Sequence, residues 1–233
     1  MNCKIIGFEQ KILEVTLSPN EEFWGEVGSL VYVENGISRQ LLKQNNAIKS
    51  KLSGESVFII RFCNNSSQDK KLVLSGTQLG LHPIKVSPNN PILISCGSYV
   101  ASTSKINASL HQSKDGIKAG IAFQKIEGDA TIFIETSGTP IQIPLESEDK
   151  IEVDENHLLA LIGFKNQSLS SKWKIRNILH GEGLSTSFIT GPGVVLLSPA
   201  KVSRAKDPIS STLGCLIIIF IYLFVFLIML FIN

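Results

Sequence analysis

The sequence predicts an all-β protein: three repeated β units forming a triplicated β-sandwich in a pseudo-threefold arrangement, followed by one C-terminal transmembrane helix. Three observations lead there. A turn-and-strand motif recurs along residues 1–199. Its apolar stretches are short, rich in Val, Ile and Phe, and bounded by Gly, Pro, Asn and Ser, which is strand and turn chemistry. The last observation is a long apolar stretch without charge at residues 213–232.

The repeat is carried by particular residues. Leu17-Ser18-Pro19-Asn20-Glu21 returns as Val86-Ser87-Pro88-Asn89-Asn90, and a worn copy begins at Leu145-Glu146-Ser147-Glu148-Asp149. Behind each turn, at one offset, come Gly28-Ser29-Leu30-Val31, Gly97-Ser98-Tyr99-Val100 and Asn156-His157-Leu158-Leu159. Asn replaces Gly in the third copy because both residues tolerate positive φ. In the second half of each unit Phe62, Ile126 and Ile189 are equivalent. The turns Gly128-Asp129 and Gly191-Pro192-Gly193 then feed Thr131–Ile134 and Val194–Leu197. The approximate units are residues 1–80, 81–138 and 139–199. Leu13, Val15 and Leu17 alternate with Glu14 and Thr16, as a strand with one wet face does. Only Ile37 to Leu52 admits a short helix. Units this small bury both faces by packing together.

Residues 200–212 form a basic juxtamembrane linker and 213–232 the predicted anchor. Leu216 to Ile232 holds fifteen Leu, Ile, Phe or Val among seventeen residues, and twenty residues span about 30 Å of hydrocarbon. Those fifteen side chains favour insertion by about 5–9 kcal/mol. Lys201, Arg204 and Lys206 flank the segment on the domain side, so the positive-inside rule keeps the domain cytoplasmic. The predicted location is therefore single-pass in a membrane, with the lipid bilayer as partner through the C-terminal helix.

Charge excludes one class of partner. The chain has 22 Lys and Arg against 20 Asp and Glu, and the excess lies beside the anchor. Residues 1–200 are balanced, whereas a nucleic-acid binder presents a basic face to phosphates. Nucleic acid is not expected. The basic run Lys165, Lys172, Lys174 and Arg176 reads as a solvated strand face.

The chemistry of catalysis is not visible. His82, His111, His157 and His180 are isolated, without metal-ligand spacing. Cys3, Cys63, Cys96 and Cys215 show no CxxC or paired spacing, so neither a zinc site nor a disulfide framework is expected. Gly181-Glu182-Gly183 and Gly191-Pro192-Gly193 precede strands rather than a helix N-terminus, which disfavours a phosphate cradle. Glu55 and Glu182 are equivalent, but the middle unit has no match, so a hydrogen-bonded turn carboxylate is preferred over a catalytic pair. No catalytic residue, metal or cofactor is predicted.

Ser53-Gly54-Glu55-Ser56, and Gly181-Glu182-Gly183-Leu184 with Thr190-Gly191-Pro192-Gly193, resemble the altered-inheritance-of-mitochondria family, member twenty-four type. The opening Ile5-Ile6-Gly7 and the Ser-Pro-Asn-Glu turn are similar to it too, so the resemblance spans residues 1–199. The first unit departs with Gly-Glu-Ser, the middle unit lacks the Glu, and the anchor is an addition. The resemblance implies a fold grouped with the tryptophan RNA-binding attenuator-like β proteins, an oligomer, and no particular activity; mitochondrial members support inner-membrane organisation. It marks Gly54, Glu55, Gly181, Glu182, Gly183, Gly191, Pro192 and Gly193 as family motif residues, read here as structural turns.

The expected function is thus a membrane-anchored, non-catalytic assembly, scaffold or interaction protein, a homo-oligomer with membrane-protein partners. The alternative is a small-ligand sensor or enzyme with a pocket between the β repeats. A deep apolar pocket with convergent polar groups favours the second; flat, closed repeat interfaces favour the first.

Overall fold

The computed structural model describes residues 1–43, 58–111, 123–164, 169–173 and 185–200. The first unit supplies β1 (Asn2–Ile6), β2 (Ile12–Leu17), β3 (Glu22–Glu26), β4 (Leu30–Val33), β5 (Ile37–Lys43), β6 (Phe58–Asn64) and β7 (Lys70–Leu74). The second supplies β8 (Gly80–Val86), β9 (Ile92–Ser95), β10 (Tyr99–Ser102), β11 (Asn107–His111), β12 (Phe123–Glu127) and β13 (Ala130–Thr136). The third supplies β14 (Ile141–Leu145), β15 (Lys150–Asp154), β16 (Leu158–Ile162), β17 (Leu169–Trp173), β18 (Ser185–Thr190) and β19 (Gly193–Leu197).

One pairing scheme recurs three times. β7 lies between β2 and β4, β13 between β8 and β10, and β19 between β14 and β16. Likewise β6 lies between β5 and β3, β12 between β11 and β9, and β18 between β17 and β15. Phe62, Ile126 and Ile189 face Phe23, Ile92 and Ile151 across these ladders, and all three are fully buried. A β-bulge follows Leu30, Tyr99 and Leu158 at the same step of each unit. Gly28 (φ +96°) and Gly97 (φ +82°) have open space where a Cβ would sit, so conformation and not crowding requires glycine there. Each turn is closed by the following serine: Ser29 Oγ donates to Glu26 O at 2.7 Å and Ser98 Oγ to Ser95 O at 2.6 Å.

The third turn differs from expectation. Asn156 does not take a positive φ; it lies in a 3-10 turn, Glu155–His157, and its backbone amide donates to Asp154 Oδ1 at 2.9 Å. An Asx cap stabilises a tight right-handed turn without needing the left-handed region. Ile37–Lys43 is likewise a strand, not a helix, held along its whole length by β6. Residues 44–52 lie outside the described residues.

Units join through edges. β10 adds to β3, giving a six-stranded sheet β5-β6-β3-β10-β13-β8, and β16 adds to β9, giving β11-β12-β9-β16-β19-β14. The remaining halves form a four-stranded sheet β1-β2-β7-β4 and a three-stranded sheet β15-β18-β17. The expected triplicated β-sandwich with a pseudo-threefold arrangement is therefore corrected to four open antiparallel sheets. Its physical reason is visible at the edges: β4 and β15 each end a sheet, whereas their counterparts are paired. Three apolar clusters fill the interior, centred on Phe23 and Phe62, on Ile92 and Ile126, and on Leu161 and Ile189.

The membrane expectation is also corrected. Among the described residues no helix is long and apolar enough to cross a membrane, because the chain there runs as strands and tight turns. The segment 213–232, the linker 200–212 and the basic residues Lys201, Arg204 and Lys206 lie outside the described residues, save Ala200. The single-pass location and the lipid bilayer as partner through that helix are withdrawn.

Candidate functional site

The seam between the first two units is short. β10 meets β3 through two partner pairs, Ala101 with Gly25 and Ser102 with Trp24. Gly25 packs closely: a Cβ would sit 3.2 Å from the Phe62 ring and 3.3 Å from Ser29 Oγ, so either neighbour would have to give by a few tenths of an ångström. Beside this seam lies a cavity of about 370 Å³, lined from β3, β5, β6, β10, β11 and β12. That volume lies in the range of small-molecule sites, roughly 300–1,000 Å³.

Two aromatic rings wall the cavity. Trp24 on β3 has ladder partners on both sides, Arg61 and Ser102, and is 7% exposed. Tyr99 is 5% exposed and stands at the bulge that opens β10, a distortion that re-aims the side chain. The Tyr99 hydroxyl lies 2.9 Å from Ser102 Oγ, and Ser102 Oγ donates to Ser104 O at 2.7 Å. Since the serine proton goes to Ser104, the tyrosine must donate to the serine. Ile59 and Ile106 complete the apolar lining.

Against this lining stands one polar group without a partner. Gln124, 5% exposed, lines the cavity on β12, and its Oε1 is buried with no hydrogen bond among the described residues. A buried acceptor left unpaired costs about 1–3 kcal/mol. Gln124 shares a strand face with Ile126, two residues on, so the strand's inward register forces it inside.

Charge sits at the cavity's exposed residues. Lys43 at the end of β5 and Lys105 before β11 both line it and are exposed. The carboxylate among the lining side chains, Glu127, is tied to Lys125 Nζ at 2.6 Å. The arrangement can stack a ring or hold an apolar body, accept a hydrogen bond at Gln124 and attract negative charge.

The residues singled out from sequence lie elsewhere. Gly191, joined to Pro192 by a cis peptide bond, and Gly193 bound the turn into β19. A Cβ on Gly191 would lie 2.1 Å from Glu146 O, and one on Gly193 2.6 Å from the Phe164 ring, so both are packing glycines at a tight turn. Gly54, Glu55, Gly181, Glu182 and Gly183 lie outside the described residues. His82 and His111 are on β8 and β11; burial holds both imidazoles below their ordinary pKa, helped at His111 by the Lys125 charge. His157 Nδ1 lies 2.9 Å from Ser198 O, and His180 is outside the described residues. Cys3 and Cys63 are free thiols, with burial raising Cys3 to about 11. Among the described residues no group of three or more His, Cys, Asp or Glu could hold a metal ion.

Sequence reasoning thus missed Trp24, Tyr99, Gln124, Lys43 and Lys105. One signal was available: in Phe123-Gln124-Lys125-Ile126 a glutamine takes the inward position of a strand otherwise anchored by Ile126. The meeting of β3 with β10, which assembles the cavity, has no local signature.

A Streptococcus pyogenes protein of known crystal structure has a similar fold, with a TM-score of 0.65 at 19% identity over 92% of this chain and 97% of the other. No curated protein matches the chain. The profile of the family described as mitochondrial biogenesis AIM24 matches residues 3–200, and the chain belongs to that family.

Proposed function

We propose that the protein is a non-catalytic small-ligand binding module whose site is the cavity between its first two β units. The observation that supports this best is Gln124 Oε1, a buried acceptor at an aromatic-walled cavity with no partner among the described residues. Folded proteins pair buried polar groups almost without exception, so such an acceptor awaits a donor from outside the chain. The test is a thermal-shift panel of small acids, bases and neutral aromatics on the full chain and on Ala108→Trp, which fills the cavity. Selective rises in Tm for the natural chain support the reading. A panel silent on both proteins overturns it.

A second reading, an assembly or interaction module, is favoured by β4. Its counterparts β10 and β16 are buried and paired between units, whereas Val31 and Tyr32 are 56% and 45% exposed on a sheet edge. An extended segment of a partner protein would add there as a further strand. Pull-down with Val31→Pro against the natural chain tests it; capture that is insensitive to the proline removes the edge from consideration. Kinship with the tryptophan RNA-binding attenuator-like fold is supported by three-stranded halves that join edge to edge between units. The charge balance of residues 1–200 gives no reason to carry RNA binding across with it.

A further inference from the structure

Resting on the cavity reading, we propose that the ligand is a small amphipathic anion: a planar apolar body against Trp24 and Tyr99, a hydrogen-bond donor on that body meeting Gln124 Oε1, and an acidic group at Lys43 and Lys105. Each part answers a separate feature. Trp24 and Tyr99 are rigid, nearly buried rings, and such rings hold flat apolar partners at little conformational cost.

The donor requirement follows from Gln124. Its amide oxygen can only accept, and a ligand that offers only acceptors, such as an aliphatic carboxylate, leaves it unpaired. A ring N–H or hydroxyl satisfies it. Selection on a buried hydrogen bond is strong, because the wrong ligand keeps the unpaired state in the complex.

The sign of the charge follows from the exposed residues. Lys43 and Lys105 are in no ion pair among the described residues, while Glu127 is already held by Lys125. An anion gains from the two ammonium groups; a cation meets them as like charges. Trp24 would favour a cation through its ring face, and the experiment sets that effect against the two lysines.

The test uses indole-3-acetate, 1-methylindole-3-acetate, indole and tryptamine, titrated calorimetrically into the full chain. Indole-3-acetate is expected to bind tightest, with N-methylation weakening it at least fivefold because the donor is lost. Gln124→Leu should erase the difference between the two acids. The double change Lys43→Glu with Lys105→Glu should move the preference from the acid to tryptamine. Tryptamine or indole binding as tightly as the acid overturns the anion while leaving a ligand cavity in place. Equal affinity of the two acids overturns the donor at Gln124, and needs no variant to be read. Failure of all four compounds overturns the proposed class, and a silent thermal-shift panel beside it overturns the cavity reading as well.

Discussion

Gln124 in the second unit and Ser187 in the third occupy the same place in the fold, and their fates differ. Gln124 faces Ile94 across β9, and Ser187 faces Val153 across β15, two residues before the equivalent Ile126 and Ile189. Ser187 is fully buried and donates to Glu155 Oε1 at 2.8 Å; Glu155 is itself fully buried in the 3-10 turn after β15. In the second unit the residue at the place of Glu155 is Cys96, on the turn after β9, and Gln124 Oε1 finds no partner among the described residues. The comparison separates a polar group that closes the fold from one that leaves a socket. The same strand register produces both, and only the facing turn decides which.

The comparison is first broken at its base. Ile126→Ala and Ile189→Ala remove equivalent buried side chains, and each should cost about 2–5 kcal/mol in denaturant unfolding. Costs that differ by more than that range would show that the two positions are not equivalent in packing. Next, Ser187→Ala takes a hydrogen bond from a buried carboxylate and should destabilise by about 1–3 kcal/mol. A change within about 0.5 kcal/mol would mean that Glu155 is satisfied without the serine, and the closed corner would lose its explanation.

The equivalence of these corners could be read from sequence, and their difference could not. Gly28 and Gly97 with the serines behind them, and the spacing of Phe62, Ile126 and Ile189, are local signals that point to strands in register. Their recurrence is legible because turn chemistry and period-two burial are written in neighbouring residues. Asn156 misled because an Asx cap and a positive-φ turn use the same residue type. The sandwich misled because symmetry of units does not dictate closure, and where the sheets end among the described residues, at β4 and β15, depends on contacts far along the chain. Trp24 and Gln124 are a hundred residues apart in sequence, and their cavity arises from the pairing of β3 with β10 between them.

Gln124→Leu carries the comparison to its sharpest point, because its sign opposes that of Ser187→Ala. Removing the unpaired acceptor while keeping apolar volume should stabilise the empty protein by about 1 kcal/mol. For a chain of this size that raises Tm by about 2–4 °C. Destabilisation instead would show that the amide is held by the fold, as Ser187 is.

The smallest effect is electrostatic and belongs to the second unit. His111, paired with Phe123 on the strand that bears Gln124, is half-buried, and burial first and the Lys125 charge second hold its imidazole below the usual 6.5. The unfolded chain therefore takes up a proton before the folded one does. Stability from this group is complete above pH 6.5 and declines as pH falls through it. Unfolding midpoints at pH 8 and pH 5.5 should therefore differ in the natural chain and converge in part in His111→Gln. His82, also held low by burial but on β8, adds to the dependence, and the double variant His82→Gln with His111→Gln should flatten it further. If His111→Gln leaves the slope unchanged, the proton is not excluded from the Gln124 corner, and the corner is wetter than the burial of its rings implies.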